Sequence, residues 1–98
     1  FRSQVLIGDA AAGGWDAQLA DVDKFKLNAE GEYVSPVCKE GNLRMCVKLE
    51  NCDWWQTEFN VFDGKILFRG KGNEQDAVKV VAGQTVKLNF KDNTGSIQ

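Results

Sequence analysis

Residues Leu43 to Glu50 set the strictest limit on what this chain can fold into. Leu43, Met45, Val47 and Leu49 alternate with Arg44, Cys46, Lys48 and Glu50. A period of two places the apolar set on one face of a strand and the polar set on the other. Such a strand needs one face against a core and leaves the other to water or a ligand. The same period recurs where Phe25 and Leu27 alternate with Lys24, Lys26 and Asn28, and where Val86, Leu88 and Phe90 alternate with Lys87, Asn89 and Lys91. No segment sustains a period of 3.6; only Asp16 to Val22 has room for a helical turn.

Turn signals punctuate these strands. Gly8-Asp9, Ala29-Glu30-Gly31-Glu32, Asp63-Gly64, Gly70 to Asn73 and Ala82-Gly83-Gln84 read as turns or loops, and Lys39-Glu40-Gly41-Asn42 as a hairpin turn. Pro36, inside the Tyr33 to Cys38 segment, implies an edge position or a bulge, because proline cannot donate to a ladder. The result is about seven short strands at the spacing of an all-β sandwich. With 98 residues, the chain is one domain able to bury a modest core.

Composition excludes several functions. A net charge of −2 with scattered Lys and Arg argues against a dedicated nucleic-acid surface. No apolar run reaches the length of a membrane span and no signal-peptide pattern is present, so this domain is not expected to insert into a membrane. The chain starts at Phe1, which reads as a mature fragment or a domain cut from a longer protein. The absence of histidine removes Ser-His and Cys-His nucleophile arrangements. Asp16 and Asp53 are the only acidic pair beside candidate site residues, and Asp53 reads as a loop-shaping group; the chain is not expected to be an enzyme. Cys38, Cys46 and Cys52 do not have zinc spacing, and no metal or cofactor is implied. A Cys46–Cys52 bridge needs a loop that joins them; three free thiols with at least one buried is the favoured reading.

Three tryptophans occupy polar surroundings: Trp15 in Gly13-Gly14-Trp15-Asp16, and Trp54 and Trp55 in Asn51-Cys52-Asp53-Trp54-Trp55-Gln56. Each ring is either folded back onto the protein or held out as a contact surface. Flat aromatic faces beside amides and carboxylates suit a sugar ring, whose axial C–H bonds lie on the indole while its hydroxyls take directional hydrogen bonds. Carbohydrate binding is the expected function. Trp54 and Trp55 are adjacent, so in extended backbone they point to opposite sides, and Trp55 is the favoured contact of the two.

Four pieces of the chain together resemble the starch-binding domains of the SusE/SusF group of outer-membrane lipoproteins of Bacteroidetes. They are Leu6-Ile7-Gly8-Asp9 leading through small residues to Gly14-Trp15-Asp16; Lys39-Glu40-Gly41-Asn42-Leu43-Arg44; the Trp54-Trp55 pair; and Ala82-Gly83-Gln84-Thr85-Val86 followed by Thr94-Gly95-Ser96-Ile97. The resemblance covers nearly the whole chain. It implies an immunoglobulin-like β-sandwich similar to starch-binding modules, a non-catalytic role, and a parent lipoprotein exposed on the outer membrane. It implies an oligosaccharide or polysaccharide partner, an α-glucan by default, and other components of a glycan-uptake complex as further partners. Carried over by position, Trp15 with Trp55 or Trp54 forms an aromatic platform, and Arg44 and Arg69 donate hydrogen bonds to the sugar. Lys48 is a weaker candidate on the same strand face as Arg44, and Gln56 and Asn73 are amides in nearby loops. The cysteines depart from the family pattern. The alternative function is a structural spacer or protein-interaction β-sandwich whose tryptophans pack against a neighbouring domain or close the core.

Overall fold

The computed structural model describes residues 3–15, 21–49 and 51–98. It is all-β, as the alternation requires. The described strands are β1 (Ser3–Ile7), β2 (Lys26–Leu27), β3 (Tyr33–Val34), β4 (Gly41–Lys48), β5 (Phe59–Phe62), β6 (Lys65–Phe68), β7 (Val78–Val80), β8 (Val86–Asn89) and β9 (Thr94–Ile97). All pair antiparallel, in the order β1-β4-β5-β6-β9-β8-β3-β2, with β7 against the start of β4. The path curls over the main core, and the two halves join where Lys65 of β6 pairs with Thr94 of β9. At that join the chain passes so close to its neighbour that a Cβ on Gly95 would sit 2.6 Å from Val61 Cγ2; only glycine fits there without displacement.

The core follows the period of two. Leu43 and Met45 of β4, Phe59 and Val61 of β5, Ile66 of β6, and Val86 and Leu88 of β8 are buried in one cluster with Leu6, Ala10, Ala11 and Phe25. Each of these side chains other than the two alanines contributes about 1.5–3 kcal/mol of transfer free energy relative to exposure. The opposite face of β4 is not simply polar. Cys46 is fully buried with Val5 and Ile7 of β1, and Trp54 packs over them. This second small cluster lies under the residues that the sequence assigns to ligand contact.

Local expectations change at Lys39 to Asn42, at Pro36 and in the strand count. Lys39 to Asn42 is not a hairpin turn, because β3 pairs with β2 and β8 whereas β4 pairs with β1, β5 and β7. Residues 35–40 instead carry the chain between the two halves, with Cys38 N–H donating to Gln84 O and Lys39 N–H to Ala10 O, both across loops. Pro36 lies just past β3, after the Ser35 N–H has donated to Val86 O, so it occupies neither an edge strand nor a bulge. The helical turn expected over Asp16 to Val22 falls largely outside the described residues; Asp21–Asp23 forms a single 3₁₀ turn. The expected strands are all present in part, and β5 and β9 raise the count above the expected seven.

All three cysteines are free thiols, with Cys38 and Cys46 buried and Cys52 exposed. Burial, with the charge of Glu58 adding to it, pushes the Cys46 thiol up to about 12. Burial also raises Cys38. Both therefore stay protonated and unreactive at neutral pH, since the thiolate is the nucleophile. A thiol-titrating disulfide reagent at pH 8 is expected to label only Cys52 in the native protein and all three cysteines after denaturation. Rapid labelling of two or three in the native state would contradict this packing.

Candidate functional site

The candidate site lies beside Arg44 of β4. Two segments build its walls. The first is the loop after β1, closed on itself by Gly8 N–H to Gly14 O at 2.9 Å, Ala11 N–H to Gly8 O at 3.1 Å and Gly14 N–H to Ala11 O at 3.0 Å. Gly13 N–H donates to the buried carboxylate of Asp23 at 2.9 Å, tying the loop to the body. Gly8 has φ +91°, and a Cβ there would lie 3.1 Å from the Trp15 ring. Glycine thus supplies both the left-handed backbone and the space against which Trp15 lies.

The second wall is the 3₁₀ helix Trp54–Thr57. Gln56 closes it, its Oε1 accepting from Asp53 N–H at 2.7 Å. Thr57 pins it to β4: its hydroxyl donates to Val47 O at 2.6 Å and accepts from Val47 N–H at 3.2 Å. The backbone is therefore helical where extended chain was expected. With three residues per turn, neighbouring side chains diverge by about 120°. Trp54 turns inward onto Val5, Ile7 and Cys46, whereas Trp55 is 43 % exposed and Trp15 53 %.

Between the walls is a groove of about 410 Å³ lined by Trp15, Arg44, Trp54, Trp55, Arg69 and Glu74. Trp15 meets Trp54 edge-on, with ring centroids 5.2 Å apart and planes at 63°. The Arg44 guanidinium lies 5.5 Å from the Trp15 ring and 5.6 Å from the Trp54 ring. The Arg69 guanidinium lies 6.0 Å from the Trp55 ring. Each contact is worth roughly 0.5–2 kcal/mol depending on desolvation, and together they hold two cationic forks beside three aromatic faces.

Glu58 fixes those forks from below. Its side chain is 3 % exposed. One carboxylate oxygen accepts from Arg44 Nη1 at 3.0 Å and the other from Arg69 Nη1 at 2.9 Å. Glu74, at the rim, accepts from Arg44 Nη2. Sequence reasoning missed both carboxylates. Glu58 was legible in principle, because Phe59 and Val61 alternate with Glu58 and Asn60. Glu74 lies in a loop without periodicity and left no signal.

Five of the six sequence candidates, Trp15, Trp54, Trp55, Arg44 and Arg69, line this one groove. Lys48 does not. It is exposed at the far end of β4, opposite Ser3, and its charge acts on Asp21. Lys24, bonded to Asp21 at 3.0 Å, holds that carboxyl below the usual range, with a smaller contribution from Lys48. Gln56 faces a separate cavity with Val47, Phe68 and Phe90, and Asn73 is exposed outside the groove. Among the described residues, no group of three or more Cys, Asp or Glu side chains is placed to hold a metal ion.

A shallow groove of aromatic faces and neutralised arginines suits a neutral, hydroxyl-rich ligand. The family model for the SusF/SusE starch-specific carbohydrate-binding modules matches residues 3–96. The chain belongs to this family. As a SusF/SusE module it is a non-catalytic starch-binding domain. It is 48 % identical over 99 residues to the Outer membrane protein SusF of Bacteroides thetaiotaomicron, covering 95 % of this chain and 20 % of that protein. The crystal structure of SusF from the same species superposes with a TM-score of 0.90 at 44 % identity, covering 98 % of this chain and 23 % of that one. The chain thus spans about a fifth of the SusF relative it matches.

Proposed function

We propose that Trp15 and Trp55 form the platform on which a malto-oligosaccharide stacks, with Arg44 and Arg69 donating to its vicinal hydroxyls. Trp54 supports the platform from beneath, and Lys48 takes no part. The observation that carries this reading is the convergence of two exposed indoles and two guanidiniums on one groove. Stacking supplies contact area without direction, whereas the planar guanidinium forks impose it. The groove buries little of a ligand, so a single site binds weakly, on the order of 10 μM to 1 mM. Weak sites become effective when several act on one polymer. In the parent protein, the domain holds starch at the outer-membrane surface beside other components of a glycan-uptake system.

The test is affinity electrophoresis of the domain through gels containing amylopectin, pullulan, dextran, a β-glucan or a mannan. Retardation by amylopectin and pullulan, and its loss in Arg44→Ala, is the expected result. Retardation only by the β-glucan or mannan would overturn the α-glucan assignment, and no retardation in any gel would favour the spacer function.

A further inference from the structure

The four charges of the groove are not equivalent. Arg44 has both terminal nitrogens engaged, Nη1 by Glu58 and Nη2 by Glu74. Glu58 is 3 % exposed and serves Arg69 as well, and it is not among the residues that line the tryptophan groove. Glu74 is 57 % exposed and does line it. A neutral ligand therefore meets an Arg44 fork whose outward nitrogen is already occupied by a carboxylate of the same chain.

From this arrangement we infer that the two carboxylates have opposed roles in the glycan site. Glu58 is a positioning residue. It sets the spacing and tilt of both guanidiniums and touches no ligand. Glu74 is an intramolecular competitor that sugar hydroxyls displace from Arg44 Nη2. The inference rests on the reading of the groove as the glycan site and adds the groups that set its affinity. Two features support the division. A buried carboxylate between two cations exchanges poorly, because leaving it would strand charge away from water. An exposed pair is held by little net free energy and is readily exchanged.

The opposed signs make the idea testable by calorimetric titration with maltoheptaose. Glu58→Gln replaces one accepting oxygen with a donor that faces an arginine. It is expected to weaken binding roughly tenfold, as loss of a hydrogen bond to a charged group does. The binding enthalpy should become less exothermic, while the tryptophan quench at saturation is kept. Structural damage to the platform would reduce both. Glu74→Gln is expected to tighten binding roughly two- to fivefold, the scale of an exposed ion pair. Raising salt from roughly 50 mM to 0.5 M should tighten wild-type binding, since screening weakens the competitor and the ligand is uncharged. It should leave Glu74→Gln unchanged. Should Glu58→Gln fail to fold, the Glu74→Gln and salt arms still decide. Equal or weaker binding by Glu74→Gln, or salt-independent wild-type binding, would overturn the exchange; a Glu58→Gln protein that binds like wild type would overturn the positioning role. Absence of any maltoheptaose binding by the wild type would instead overturn the glycan reading and the inference with it.

Discussion

Trp15→Ala is expected to weaken maltoheptaose binding by roughly ten- to a hundredfold, the equivalent of about 1.4–2.7 kcal/mol. Trp15 is the most exposed of the three indoles whose rings line the groove. Removing it takes away a stacking face and one of the two rings beneath the Arg44 guanidinium. The fold should survive. The ring is 53 % exposed, and its packing is against Gly8, Trp54 and the Arg44 guanidinium, so the stability cost should stay within about 1.5 kcal/mol. Trp54→Ala should behave differently. That ring caps Val5, Ile7 and Cys46, so its loss lowers stability as well as affinity. Fluorescence or calorimetric titration beside thermal unfolding separates the two. Wild-type affinity in Trp15→Ala would remove the platform from the account.

Phe59→Ala is expected to cost about 3–5 kcal/mol of folding stability, the range for truncating a fully buried aromatic ring. Phe59 is 0 % exposed. It pairs with Met45 of β4 and Phe68 of β6 in the ladder. Its ring lies 5.2 Å from that of Phe68 and 6.2 Å from that of Phe90, so one side chain joins three strands to the opposite half of the curled sheet. For a domain of this size the loss lowers the melting temperature by about 15–30 °C and removes a large share of a total stability of about 5–15 kcal/mol. Circular dichroism during thermal unfolding measures it. Because Glu58 precedes Phe59, glycan affinity should fall with the fold and not before it. A cost below about 1 kcal/mol would mean that the core does not centre on β5.

The strands could be read from the sequence where burial imposed a strict period of two. Leu43, Met45, Val86 and Leu88 all point into the core, and the turns at Gly8-Asp9 and Asp63-Gly64 fall where strands end. Non-local pairing was not legible. Lys39 to Asn42 has the residues of a hairpin turn, yet the chain there crosses between halves of the sheet, because partner choice depends on the whole fold and not on four residues. The burial of Cys46 was hidden for a related reason. Its strand face reads as polar between Arg44 and Lys48, whereas Val5 and Ile7 of β1 flank it and Trp54, returning from a later segment, packs over it.

The groove was legible as a set of residue types, since tryptophans in polar loops have little apolar company along the chain. Its electrostatics were not. Glu58 directly precedes β5, whose first residues carry the alternation, but its role depends on Arg44 of β4 and on Arg69, just past the end of β6. Lys48 shares a face with Arg44 in sequence terms. Four residues of strand still carry it about 13 Å away, beyond the groove.

The most direct measurement is a ¹H–¹⁵N correlation titration of the domain with maltoheptaose that follows the three indole N–H signals. The Trp15 and Trp55 signals are expected to shift together and saturate with one dissociation constant on the order of 10 μM to 1 mM, while the backbone amides of β8 and β9 stay in place. Saturable binding that leaves all three indole signals unmoved would place the glycan elsewhere and contradict the central claim.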